Sequence, residues 1–78
     1  MKTKIYTIYD SVAKESGPLM YSKNRAVALR QFEMALSGNS RINDYKLFEL
    51  GEFDTERMKI QPCEPFEIIS IQDVEEED

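Results

Sequence analysis

The sequence predicts a small α+β domain: a three- or four-stranded sheet in β-α-β-β order, with one helix packed on one face. Three observations predict it. An alternating run of β-branched and aromatic residues opens the chain at Lys4–Asp10. A single apolar stripe at helical spacing follows over Asn24–Ser37. Two more strand-like runs, Tyr45–Phe53 and Arg57–Gln61, come after the helix. Seventy-eight residues make one domain, and a chain this short buries roughly two-thirds of its unfolded surface, which leaves little stability in reserve.

The first strand reads Lys-Ile-Tyr-Thr-Ile-Tyr-Asp. Side chains alternate along a strand, so Ile5, Thr7 and Tyr9 share one face and Lys4, Tyr6 and Ile8 the other. Apolar bulk on both faces places this strand inside the sheet. Ser11–Met20 reads as a loop, with Gly17-Pro18 as turn punctuation. Leu19, Met20 and Tyr21 are a brief apolar return, either a short strand or a plug at the lower edge of the core. In the helix, Asn24 is a good N-cap and Gly38 suits a left-handed C-cap. Ala28, Leu29, Phe32, Ala35 and Leu36 form its stripe, which must pack on the sheet because a helix of this length is marginal alone.

Asn39–Asp44 is a polar loop. The second strand, Tyr45–Phe53, again carries apolar groups on both faces, and Gly51 within it marks a bulge or a close backbone approach. Asp54-Thr55-Glu56 reads as a hairpin turn, and Arg57–Gln61 alternates with Met58 and Ile60 facing in. Pro62 and Pro65 are expected to end that strand. Phe66, Ile68, Ile69 and Ile71 form an apolar patch, either a fourth strand or a segment that docks on a partner. Val74–Asp78 is almost purely acidic and is expected to be disordered. The chain thus divides into an α+β domain over 1–63 and an acidic C-terminal tail over 64–78.

One helix covers one face of a small sheet, whereas both long strands are apolar on two. The second face needs a cover: the tail patch, a second copy of the chain or a foreign partner. The pattern therefore predicts an interaction protein. A homodimer is expected, because a small sheet with two apolar faces gains most by pairing with itself.

Charge and composition exclude several classes. The net charge is −5, but Glu64–Asp78 holds seven of the fifteen acids and none of the ten bases. The remaining eight acids and ten bases leave the body at +2, without the dense Lys/Arg patch of a strong nucleic-acid binder. The single cysteine, Cys63, has no partner for an intramolecular disulfide and no neighbour that activates it. No apolar run approaches the ~20 residues of a membrane helix, and the N-terminus leads into a strand rather than a signal-peptide core, so a cytoplasmic protein without membrane contact is expected.

Catalytic residues, cofactors and metals are not expected. The chain has no histidine, the commonest general base. Its glycines, at 17, 38 and 51, form no phosphate loop. Glu49, Glu52, Asp54 and Glu56 lack the spacing of a calcium loop and read as a solvated hairpin end. Strand aromatics can stack bases where exposed, with Lys or Arg beside them on phosphates. On that basis Lys4, Tyr6, Arg57 and Lys59 are the candidate nucleic-acid contacts, although core burial outweighs stacking for most aromatics in so small a domain. Phe66, Ile68, Ile69 and Ile71 are the candidate partner-binding residues.

Three segments carry a family resemblance. Lys4-Ile5-Tyr6-Thr7-Ile8-Tyr9-Asp10-Ser11 with Gly17-Pro18, then Asn24-Arg25-Ala26-Val27-Ala28-Leu29-Arg30-Gln31-Phe32, then Asp44-Tyr45-Lys46-Leu47-Phe48-Glu49-Leu50-Gly51-Glu52-Phe53-Asp54, resemble in order and spacing the small nonstructural protein of gokushoviruses. These are single-stranded-DNA phages of the microvirus group. The resemblance spans about residues 4–60 and supplies no catalytic residues. It implies a protein absent from the virion, often labelled DNA-binding, that serves the switch from duplex replication to single-stranded genome synthesis and packaging.

Together these readings predict a non-enzymatic phage accessory protein in the host cytoplasm. It is expected to act in viral genome replication or single-stranded genome synthesis and packaging, through contacts with phage or host replication and packaging proteins. The alternatives are a weak single-stranded-DNA-binding protein, and an inhibitor of a host nucleic-acid-binding protein through its acidic tail.

Overall fold

A computed structural model describes residues 1–77; Asp78, the end of the expected acidic tail, lies outside the described residues. The elements are β1 (Lys2–Asp10), β2 (Glu15–Ser22), α1 (Arg25–Ala35), a 3-10 turn (Ile42–Asp44), β3 (Tyr45–Asp54), β4 (Lys59–Glu67) and α2 (Ile71–Glu75). The four strands form one antiparallel sheet in the order β2-β1-β3-β4. The α+β class fits. The order is ββα twice over, which corrects the expected β-α-β-β arrangement and its single helix.

The two hairpins are built alike. Asp10 accepts the amides of Val12 and Ala13 on its carboxylate and that of Lys14 on its carbonyl. Asp54 does the same for Glu56, Arg57 and Met58. Lys14 and Met58 close the turns with φ of 59° and 58°. The expected loop over Ser11–Met20 is therefore a tight turn followed by a strand. β2 hides from a periodicity reading because it is an edge strand, mostly exposed, with Gly17-Pro18 inside it. Met58 sits in the second turn and is 81% exposed, so it does not face in as its alternation suggested.

Pro62 and Pro65 do not end a strand; β4 runs through both to Glu67. It is the other edge, where outward backbone positions need no donor. The expected disorder from Val74 is corrected as well, since α2 spans Ile71–Glu75. Its first turn is closed by the Asp73 carboxylate, which accepts the amides of Ile69 and Ser70 at 2.7 and 3.1 Å.

α1 begins as its sequence indicates, with Asn24 accepting the Val27 amide, and Gly38 turns the chain at φ +79°. The core lies between α1 and the sheet: Tyr6, Ala28, Leu47 and Ile68, with Ile8, Met20, Leu29 and Phe32 packed against it. Gly51 has φ +150°, and a Cβ there would stand 2.3 Å from the Gln61 carbonyl oxygen. Beside it the ladder skips Leu50, since Ile5 pairs with Gly51 and Tyr6 with Glu49. That bulge bends the centre of the sheet.

Candidate interaction face

Pairing register divides the side chains between two faces. Lys4, Tyr6 and Ile8 share a face with Met20, Ser22, Leu47, Glu49 and Phe66. Both helices lie on this side. The Ser22 hydroxyl bonds Gln31 of α1, Arg25 pairs with Glu49 and sits 4.7 Å over the Phe66 ring, and Lys4 pairs with Glu77 beyond α2. Among residues 1–77 no element crosses the other face.

That other face is apolar. Register places Ile5, Thr7 and Tyr9 of β1 there, beside Leu19 and Tyr21 of β2, Phe48 and Phe53 of β3, and Ile60 of β4. Ile5 and Thr7 lie in the middle, where larger neighbours shut them from water. Leu19, Tyr21 and Ile60 are 55%, 57% and 62% exposed. Tyr9 and Phe48 meet edge to face, ring centres 6.0 Å apart and planes at 88°. Beside them lies a shallow hollow of about 300 Å³, lined by Thr7, Tyr9, Ser16, Phe48, Leu50 and Pro65 with no charged side chain. Lys46, opposite Tyr9, and Glu67, opposite Phe48, stand at one end.

The candidate nucleic-acid contacts do not come together. Tyr6 is fully buried in the core, its hydroxyl donating to Glu49 at 3.4 Å. A base has no access to its ring, which corrects its assignment as a stacking residue; its position on the helix side decides this. Burial pushes its phenol well above the ordinary tyrosine range, helped by the charges of Glu49 and Glu77. Lys4 lies 3.0 Å from the Glu77 carboxylate. Burial lowers its pKa, but the contact with Glu77 and the charge of Glu49 outweigh that and leave it raised. Arg57 and Lys59 stand with Lys2 around a separate hollow of about 260 Å³ that also holds Glu52 and Asp54. The bases there are interleaved with acids.

The candidate partner-binding residues are split too. Ile68 is part of the core, held by its amide on the Leu47 carbonyl at 2.9 Å. It is therefore no free docking residue, a further correction. Phe66 lies under Arg25, while Ile69 and Ile71 are exposed. Cys63 is exposed, and what burial it has pushes its thiol pKa up, with Glu49 adding to the shift. Among the described residues no three potential metal ligands converge, and no helix is long and apolar enough to cross a membrane.

Sequence reading missed Leu19, Tyr21 and Ile60 as members of the open face. The signal that was available is Asp10-Ser11, which matches the turn residues Asp54-Thr55. Each hydroxyl residue bonds, through both amide and side chain, the residue just before a neighbouring strand: Ser11 the Asp44 carbonyl, Thr55 that of Met1.

A sequence model of the family described as Phage ORF5 protein matches residues 3–74. No curated protein and no solved structure gives a match.

Proposed function

The chain belongs to the Phage ORF5 protein family, and from that premise we propose that it is a non-enzymatic accessory protein of the phage, acting through protein contacts on the sheet face opposite its helices. The setting we propose is the host cytoplasm, during viral genome replication or single-stranded genome synthesis and packaging. The three segments that resemble the gokushovirus nonstructural protein support that setting.

The observation that carries the contact mechanism is the open face itself. A two-layer domain of this size normally spends its large apolar groups on its own core. Here Leu19, Tyr21 and Ile60 stand in solvent on the face that also holds the uncharged hollow beside Tyr9 and Phe48. Contiguous apolar surface of this kind marks an interaction site. Direct DNA binding has less support, since the face offers one lysine, Tyr6 is inaccessible and Lys4 is paired with Glu77. Tail mimicry has less support because Glu77 turns inward onto Lys4 and the Arg25 amide.

The test compares Leu19→Glu, on the open face, with Lys59→Glu, on the helix side. Both residues are exposed. Cells producing the phage are assayed for the ratio of single-stranded to duplex viral DNA. The expected result is a severalfold drop for Leu19→Glu and none for Lys59→Glu. The opposite pattern, together with oligonucleotide affinity that falls steeply with salt, would replace the contact reading with DNA binding.

A further inference from the structure

We propose that the open face is closed by a second copy of this chain, the two sheets stacked face to face about 10 Å apart. The proposal rests on the reading above that this face is where the protein makes its contacts, and it names the occupant.

Three features select a second copy. The first is that the sheet does not extend sideways. Its edges are β2 and β4, and each carries proline: Pro18 in one, Pro62 and Pro65 in the other. Proline removes backbone donors from an edge and blunts strand-to-strand pairing. Association through the sheet is left with its face.

The second feature is charge. The chain carries −5, with seven acids after residue 63, and Glu67 aside the segment's described acids on α2 and beyond belong to the helix side or its rim. Two copies approaching by their helices repel. In a two-fold interface a patch meets itself, so it must tolerate its own charge. The charged residues that register places on the open face are Lys46 and Glu67, one of each sign and both at one end. A nucleic acid finds no run of cations there.

The third is size and relief. Four strands about 4.8 Å apart, each with about eight residues rising 3.3 Å, span roughly 500 Å² of plan area. Two such faces remove about 1,000 Å² before side-chain relief is counted, which meets the floor of about 1,000 Å² for a specific interface. The face carries both a hollow, beside Tyr9 and Phe48, and projecting side chains, Leu19 and Tyr21. Self-complementary packing needs both.

The full-length chain is examined by light scattering over a wide concentration range, as wild type, Tyr21→Glu and Met34→Glu. Tyr21 is exposed on the open face and Met34 is exposed on α1. The expected result is twice the chain mass for wild type and Met34→Glu, and a fall to half of that for Tyr21→Glu. Should Tyr21→Glu unfold, a photo-crosslinking amino acid at position 21 or 34 reads the same geometry: crosslinks between copies are expected from 21 and not from 34. A wild-type monomer at all concentrations, a Tyr21→Glu dimer, or crosslinks from 34 alone would each overturn the proposal. A wild-type monomer combined with loss of single-stranded genome in Leu19→Glu cells would assign the face to a foreign protein, leaving the contact reading intact. A dimer whose Leu19→Glu variant keeps normal genome ratios would do the reverse.

Discussion

The Arg25 guanidinium lies 2.9 Å from the Glu49 carboxylate, joining the start of α1 to the middle of β3. Both side chains are largely shut from water, at 14% and 11% exposure. Arg25 also donates to the Asp73 carbonyl at 2.8 Å and covers Phe66, while Glu49 accepts the Tyr6 hydroxyl. One ion pair therefore ties α1 to the strands beneath it and to α2.

Removing one partner strands the other charge in a poorly solvated site. Arg25→Ala or Glu49→Ala is expected to cost about 3 kcal/mol each in urea unfolding. The joint replacement Arg25→Met with Glu49→Leu is expected to cost less than either single change, because it removes both charges and keeps the volume. Equal additive losses would show that the pair is not coupled.

Tyr6 makes stability fall in alkali. Burial, then the charges of Glu49 and Glu77, hold its phenol pKa above the ordinary value of 10.0. The folded state thus keeps the proton that the unfolded state releases. The resulting stability is whole below that ordinary value and is lost as pH rises through the higher folded one. Urea midpoints measured from neutral to about pH 11 should decline in wild type and much less in Tyr6→Phe.

Gly51 has no tolerated replacement. Its φ of +150° is a glycine conformation, and a Cβ would meet the Gln61 oxygen at 2.3 Å and the Pro62 Cα at 2.9 Å, both backbone atoms. Gly51→Ala is expected to cost upwards of about 3 kcal/mol, through strain added to displacement of β4. Gly38→Ala, at φ +79° with open space around it, should cost only about 1 kcal/mol. Equal losses in thermal unfolding would sink the steric account.

The two hairpin aspartates should act independently. Asp10 and Asp54 each hold two turn amides on one carboxylate oxygen. They lie at opposite ends of the β1–β3 ladder, about 26 Å apart at the strand rise. Asp10→Ala and Asp54→Ala are expected to cost about 1 kcal/mol each, and the double variant their sum. Urea titration of all three measures it.

What was readable in the chain follows from how local each signal is. Asn24 and Gly38 bracket α1 by the chemistry of their own positions, and Gly51 announces its close approach by lacking a Cβ. β1 and β3 stand in the middle of the sheet, so both their faces had to be apolar. The edges were legible only in part, at Lys59–Gln61 and as one option at Leu19–Tyr21, for the converse reason. β2 and β4 bury little, so alternation was not imposed along their length, and proline was free to enter. α2 was hidden by its acids, since its anchoring comes from Arg25 and Lys4 far away in sequence.

The sequence by itself determined that Tyr6 and Tyr9 point to opposite faces, because strand side chains alternate whatever surrounds them. It also determined that two apolar faces would compete for one set of helices. Only the tertiary structure decided the outcome: the chain leaving β2 at Ser22 lays α1 across the Tyr6 side, and Ile68 and α2 follow it there. Both faces carry apolar bulk, so local pattern could not rank them. The choice rests on contacts between residues distant in the chain, and it leaves Tyr9 and Phe48 on the face opposite the helices.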